Sequence, residues 1–317
     1  MAEEVFVSIC IPAYKRTDSL KRLLDSILRQ TYRLYEVIIT DDSPGTEVFD
    51  LVSGHPLATA IKYFKNELRL GAAGNWNEGI RRANGEWIKI MHDDDWFSNP
   101  AALQVFADAA RHSPDSSFFF SNYRDVFLEK NKSRVVRISR MRYKLLQFNP
   151  KSLLSENVIG PPSVIFHRNE PEYKYDPKLK WLVDIDFYMR FLQDAKPALI
   201  REVLVDVGLG NDQLTRDCLG NPLVEIPEYL YVLNKIGVKS LGNIFVYDAF
   251  WRFIRNLQIR SVSEIRDAGY MEHVPAVIRS MIRFQSFWPR SFLKTGFISK
   301  CLMGVHFIFQ FPKITRG

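Results

Sequence analysis

The sequence predicts an α/β fold, a mostly parallel mixed sheet with helices on both faces, followed by a helical carboxy-terminal region. Three observations carry this. Four β-rich runs alternate with helical patterns within about 110 residues, which indicates βαβ units. Polar loops follow three of those runs, on the side where such sheets bind ligands. After about Pro227 the pattern stays helical.

Val5 to Ile11 (VFVSICI) is a buried strand closed by Pro12. Residues 17–30 (TDSLKRLLDSILRQ) place Leu20, Leu23, Leu24, Ile27 and Leu28 at helical spacing behind a Thr17 or Asp18 cap. Tyr35 to Thr40 (YEVIIT) is a second strand, running into the loop Asp41-Asp42-Ser43-Pro44-Gly45. Val48 to Val52 opens a short helix, and Ala60 to Phe64 (AIKYF) is a third strand. Asn75 to Asn84 is helical and closes at Gly85. Glu86 to Met91 (EWIKIM) is a fourth strand that runs straight into His92-Asp93-Asp94-Asp95, and Ala101 to Arg111 is again helical.

Beyond this point the periodicities loosen. Ser117 to Asn122 and Ser163 to His167 are strand-like, with a basic, polar stretch from Lys130 to Lys144 between them that is expected to be a mobile excursion. Leu182 to Gln193 has helical spacing, and Leu199 to Val207 is another strand.

A chain of 317 residues, 46% hydrophobic and 25% charged, is long enough to bury a core and too apolar for a disordered one. Cys10, Cys218 and Cys301 form no even framework, which points to a reducing compartment and away from a Cys-based zinc site. The opening MAEEVFVSIC lacks the basic start and apolar run of a signal peptide. The longest strongly apolar stretch, Cys301 to Phe311, is about half of what a spanning helix needs. A cytoplasmic protein is expected.

The net charge of +7 is unevenly placed. Ala249 to Gly317 hold 11 Lys and Arg against 3 Asp and Glu, and the remainder holds 32 against 33. Past Glu272 no acid occurs, while Arg279, Arg283, Arg290, Lys294, Lys300, Lys313 and Arg316 are interleaved with aromatic residues. Such a stretch suits the interface of an anionic membrane, although a helical subdomain with a solvated basic face is the plainer alternative. No nucleic-acid module accompanies it, so no nucleic-acid partner is expected. Peripheral membrane contact through residues 273–317, on the inner face of the plasma membrane, is the favoured expectation.

Three successive aspartates after an apolar strand repel one another and raise each other's pKa, a cost that a divalent cation removes. Hard carboxylate oxygens select Mg²⁺ or Mn²⁺, commonly with substrate phosphates completing the shell. The alternative is an acidic cap on the following helix. The polar loops at the other two strand ends favour a metal–diphosphate site.

The segments VSICIPAYKR, EVIITDDSP, NELRLGAAGNWNEGI and GEWIKIMHDDDW, followed by IGPPSVIFHR and WLVDIDFYMR, together resemble the inverting family-2 glycosyltransferases of GT-A fold. The likeness runs over roughly residues 5 to 215. It implies a GT-A domain over residues 1–230, with a nucleotide-sugar-binding half in 1–110 and an acceptor half in 111–230, followed by a basic, aromatic-rich helical region in 231–317. It also implies that Pro12, Ala13, Tyr14 and Arg16, with Asp41 and Asp42, bind the donor nucleotide. Asn75, Trp76 and Asn77 match the segment that packs beside the donor, with Trp76 itself reading as a core aromatic. Asp93 is expected to face the ribose or diphosphate, and Asp94 and Asp95 to carry Mn²⁺ or Mg²⁺. Relatives often have Asp where His92 stands, which leaves open which carboxylates ligate the metal.

The family's Glu-Asp pair aligns with Val183-Asp184, so the resemblance assigns the general base to Asp184. Its apolar neighbours Trp181, Leu182, Ile185 and Phe187 raise its pKa towards useful values; capping, or an ion pair with Arg190, is the alternative role. Asp186 points to a different helix face. The acceptor hydroxyl is expected to attack the anomeric carbon as Asp184 takes its proton, with inversion. Gly210 to Thr215 is expected to close over the diphosphate, where relatives often carry a His ligand that this chain lacks. His167 is expected to be structural. By family frequency the donor is a UDP-sugar, and the acceptor a glycan or lipid-linked precursor of a cell-surface polysaccharide. Two readings compete: a metal-dependent nucleotidyltransferase or pyrophosphatase, which needs no Asp184, and a non-catalytic nucleotide-sugar-binding or membrane scaffold member, kept open by Val183 and His92.

Overall fold

The computed structural model describes residues 4–210 and 218–316. Two units separate by their internal contacts: one comprises residues 1–150, 158–177 and 186–213, the other residues 151–157, 178–185 and 214–317.

The first unit is built on nine strands, β1 (Val7–Ala13), β2 (Tyr35–Asp41), β3 (Ile61–Lys65), β4 (Trp87–Ile90), β5 (Trp96–Phe97), β6 (Phe118–Phe127), β7 (Lys132–Val136), β8 (Ile165–Arg168) and β9 (Pro197–Leu209). They form one sheet in the order β3-β2-β1-β4-β8-β6-β9-β5, with β7 paired to β6. The first four strands are mutually parallel. Further along, β8 runs antiparallel to both β4 and β6, and β9 runs parallel to β6. Helices α1 (Thr17–Leu28), α2 (Glu47–Gly54) and α3 (Gly71–Arg81) make the right connections for βαβ units, and α4 (Ala102–His112), α5 (Arg140–Phe148) and α6 (Val183–Asp194) follow. The first three residues of α6 belong to the second unit.

Strands β1 and β2 are buried almost throughout, as a parallel strand covered on both faces must be. Strand β1 continues past its expected end at Ile11 to Ala13. The ladder with β4 stops at Cys10 and Ile90, so the ring of Pro12 removes a donor only where that ladder has ended. Helix α1 also starts differently from expectation: Arg16 occupies the N-cap position and no side chain caps the helix. The stretch Lys130 to Lys144 is more regular than its composition indicates, since it holds β7 and the start of α5. Strand β7 is almost wholly exposed and so shows no burial alternation; it is held by backbone pairing to the outer half of β6.

The second unit is helical: α7 (Pro222–Ile236), α8 (Ile244–Asn256), α9 (Val262–Asp267), α10 (Ala276–Ser286), α11 (Arg290–Lys294) and α12 (Gly296–Arg316). Its core centres on α8, where Tyr247, Phe250, Trp251 and Ile254 are buried. Among the described residues no helix is long and apolar enough to cross a membrane.

Candidate active site

In the first unit the carboxyl ends of β1, β2 and β4 bring three polar loops together. Asp93 is buried, and its Oδ2 accepts the Tyr14 N–H at 3.0 Å. Arg16 Nη1 lies 3.4 Å from Asp93 Oδ1 and 2.6 Å from Asp94 Oδ2. Between Tyr14 and Arg16, Lys15 sits at φ 67°, a left-handed conformation that a lysine adopts only where its surroundings impose it. Its N–H is held by Ser43 Oγ at 2.8 Å, which ties the β1 loop to the β2 loop. The Tyr14 ring is flanked by two cations, with Arg69 Cζ 4.5 Å and Lys15 Nζ 5.1 Å from its centroid. Tyr14, Lys15 and Arg16 all keep exposed surface.

Burial first, and mutual repulsion second, act on the aspartate run. Burial, and then the Asp94 charge, push Asp93 up to about 7, although Arg16 and the Tyr14 N–H oppose the shift. Burial and Asp94 likewise raise Asp95 well above the usual carboxylate range. Asp95 is 2% exposed, with Oδ1 accepting the Gly208 N–H at 3.1 Å.

The residues present fit a divalent cation. His92, Asp94 and Asp95 each offer one ligand atom, and these atoms lie within 4.8 Å of one another. His92 Nε2 is covered and has no hydrogen-bond partner, which is costly for a polar nitrogen unless something else fills the role. Burial pushes the imidazole down to about 4, so it is neutral at physiological pH, the form that ligates. Trp76 packs against this imidazole at 4.8 Å and meets Tyr175 edge-on at 4.9 Å, so the aromatic read as core buttresses the cluster.

Other expected donor residues lie beneath the loops. Asp41 is fully buried; its carboxylate accepts from Tyr63 Oη at 2.7 Å, Lys65 Nζ at 2.9 Å and the Ser43 N–H at 2.8 Å. Burial raises its pKa, but those hydrogen bonds, that of Lys65 foremost, outweigh it and hold the group below its ordinary value. Asp42 accepts the N–H groups of Leu70 and Gly71 at 3.1 and 2.8 Å and so caps α3, which begins a turn earlier than expected from sequence. Asn75 is 3% exposed, and its amide joins the Thr40 and Ala13 carbonyls to Asn66. Pro12 and Ala13 close β1 directly above this bridge.

Asp184 lies in the second unit, in the first turn of α6, and is half-buried. Burial pushes its carboxyl up to about 6, against hydrogen bonds from the Ile185 N–H at 2.8 Å and Asn157 Nδ2 at 2.9 Å. Arg190 pairs with Asp186, not with Asp184: its Nε is 2.9 Å from Asp186 Oδ2, and Asp186 is 1% exposed. His167 is 2% exposed between Phe187 and Phe191, a structural position. The segment 211–215 lies outside the described residues.

Three supporting residues are not marked as such in the sequence. Lys89 is fully buried beneath the aspartates and donates to the Ser163 and Ile165 carbonyls. Ser163 Oγ accepts the His92 N–H at 2.9 Å and hydrogen-bonds Asp95. Glu228, 6% exposed, accepts three successive N–H groups ahead of α6, those of Lys180, Trp181 and Leu182, at 2.7, 2.9 and 2.9 Å. His92 stands beside the aspartates in the sequence, where it reads only as a contrast with relatives. A lysine inside an apolar strand was the one signal available for Lys89.

The profile described as glycosyl transferase family 2 matches residues 8–166. An uncharacterized glycosyltransferase of Haemophilus influenzae is 27% identical over 203 residues, 62% of this chain and 66% of that protein, so the chain spans just under two thirds of its length. The Escherichia coli UDP-Glc:alpha-D-GlcNAc-diphosphoundecaprenol beta-1,3-glucosyltransferase WfgD is 25% identical over 185 residues, 56% of this chain and 71% of that one. Among solved structures, S. aureus TarS 1-349 in complex with UDP-GlcNAc superposes with a TM-score of 0.58 at 14% identity, covering 89% of this chain and 90% of that chain. At that identity the likeness is one of fold.

Proposed function

The chain belongs to glycosyl transferase family 2, and on that premise we propose that it moves a sugar from a UDP-sugar to a hydroxyl of a lipid-linked or glycan acceptor, inverting the anomeric centre. The observation that carries this reading is the cluster of His92, Asp94 and Asp95, set beside Arg16, which pairs with Asp94, and beside Tyr14 with its flanking cations Lys15 and Arg69. Carboxylates and an imidazole for a cation, next to an aromatic face and guanidinium groups, are what a nucleoside diphosphate needs. The UDP-GlcNAc in the TarS complex and the diphosphoundecaprenol acceptor in the name of WfgD support the choice of donor and acceptor class.

In this reading Tyr14 presents its ring to the nucleotide and Arg16 turns from Asp94 to the diphosphate. Pro12, Ala13 and Asp93 shape the ribose side. Asp41, Asp42 and Asn75 act from below by fixing the loops. His92, Asp94 and Asp95 would hold Mn²⁺ or Mg²⁺, which when bound would neutralise charge on the departing diphosphate. Asp184 accepts the proton of the acceptor hydroxyl: a carboxyl near 6 is ionised at pH 7.5 yet basic enough to take it. Residues 1–230 are assigned to the transferase domain, divided near residue 110 between donor and acceptor halves, and 231–317 to the helical extension.

The test is transfer itself. A UDP-sugar and a polyprenyl-diphosphate-linked sugar are incubated with the wild-type protein and with Asp184→Asn, and the new linkage is read by NMR. Inversion, with turnover reduced about 10²–10⁴-fold in the variant and UDP affinity unchanged, supports the reading. Retention, or an undiminished variant, overturns it.

A further inference from the structure

Helix α12 carries its polarity the wrong way round for a solvated surface helix. Its buried face includes polar groups tied inward. Ser299 Oγ accepts from Trp251 Nε1 at 3.0 Å, and His306 is hydrogen-bonded to Tyr247 Oη at 2.6 Å and to Ser280 Oγ at 3.0 Å. Its open face is apolar: Phe297 is 79% exposed, Val305 48%, and Ile308 and Phe309 70% each. With exposed Cys301, these positions follow one another at intervals of three and four residues, so they form a single stripe along one side of the helix. Phe292 on α11 and Phe287 just before it are also open, 47% and 74% exposed. An exposed apolar stripe of this kind is an interaction surface.

Its charge selects the partner. Lys300 and Lys313 on α12, and Arg290 and Lys294 on α11, are exposed, and no Asp or Glu follows Glu272 in the sequence. A second copy would bring two like-charged faces together without an acid to pair them, whereas an anionic lipid surface satisfies both the charge and the apolar side chains. We propose that α12 lies in the plane of an anionic bilayer, with Phe297, Val305, Ile308 and Phe309 at headgroup and upper acyl depth and the lysines on the lipid phosphates. The inference goes beyond the transfer reaction and does not depend on it.

The experiment is co-sedimentation with phosphatidylglycerol–phosphatidylcholine vesicles and with pure phosphatidylcholine vesicles. The wild-type protein is expected to bind the anionic vesicles, less so as salt is raised. The double variant Ile308→Gln/Phe309→Gln is expected to lower partitioning at least tenfold, and Lys300→Gln and Lys313→Gln about fivefold each. All four positions are exposed, and an unchanged melting temperature establishes that the variants remain folded. No binding to anionic vesicles, or equal binding by the variants, overturns the proposal. A dimer that Ile308→Gln/Phe309→Gln disperses, without vesicle binding, would instead assign the face to a second copy.

Discussion

Gly208 and Asp94 meet backbone to backbone: a Cβ on Gly208 would lie 2.3 Å from the Asp94 carbonyl oxygen. The Gly208 N–H also holds Asp95 Oδ1 at 3.1 Å. The end of β9 therefore sets the height of the aspartate loop, and only a residue without a side chain lets the two approach.

Gly208→Ala is expected to displace that loop, costing about 1–3 kcal/mol of stability as an overpacked site does, and to weaken UDP and metal binding together. Thermal melting and a UDP titration in Mn²⁺ check this. A variant with unchanged affinity would show that the contact does not set the site.

Asp184 sits at about 6 in the folded protein, above its ordinary 3.8. A raised carboxyl pKa means that the folded state binds the proton more tightly than the unfolded chain. The resulting destabilisation is full above about pH 7 and is relieved as pH falls from about 7 towards 4. Asp184→Asn is therefore expected to gain stability relative to wild type at pH 8, with the gain shrinking on acidification. Differential melting between pH 5 and pH 8 measures it; a difference independent of pH contradicts the shift. The kcat profile of the wild type is expected to show an acid limb near pH 6.

Lys89 is displaced the other way, from 10.5 down to about 7, by burial. Its folded state resists the proton, so the cost is full below about pH 7 and disappears as pH rises towards 10.5. Lys89→Met removes a penalty of a few kcal/mol at the expense of two hydrogen bonds to the Ser163 and Ile165 carbonyls. The melting difference between variant and wild type is expected to shift in favour of the wild type between pH 7 and pH 10. A constant difference over that range would mean Lys89 titrates normally.

Glu228 gathers three consecutive N–H groups ahead of the helix that carries Asp184. Removing a charged acceptor leaves buried donors unsatisfied, at about 1–3 kcal/mol or more. Glu228→Ala is expected to lose stability on that scale and to lower kcat, while UDP affinity is retained; Glu228→Gln, which keeps one acceptor oxygen, is expected to fall in between. A variant that loses UDP affinity instead would place Glu228 with the donor.

The fold was legible where burial writes a pattern. The apolar runs of β1, β2 and β4 are buried along their lengths, and each ends in Pro, Asp or His, so the strand ends and the loops above them could be read directly. The pattern failed where backbone pairing alone decides: β7 is exposed and polar, and the start of α3 is set by Asp42, nearly thirty residues upstream. The aspartate loop announced itself, but what holds it did not. Ser163 reaches it from the turn ahead of β8 and Gly208 from β9, and nothing local in their sequence marks them. His92 reads in the sequence as a departure from relatives, although its adjacency to the aspartates already offers a nitrogen ligand.

The central claim is that His92, Asp94 and Asp95 form a cation site on which a nucleoside diphosphate depends. The most direct test is thermal stability with UDP, GDP, dTDP and CMP, each in Mn²⁺ and in EDTA, for the wild-type protein and Asp95→Asn. UDP with Mn²⁺ at 100 times its dissociation constant is expected to add about 2.7 kcal/mol, a rise of about 4 °C for a chain of this length, lost in EDTA and in Asp95→Asn. A folded wild-type protein whose melting temperature no nucleoside diphosphate moves, or moves equally in EDTA, would contradict it.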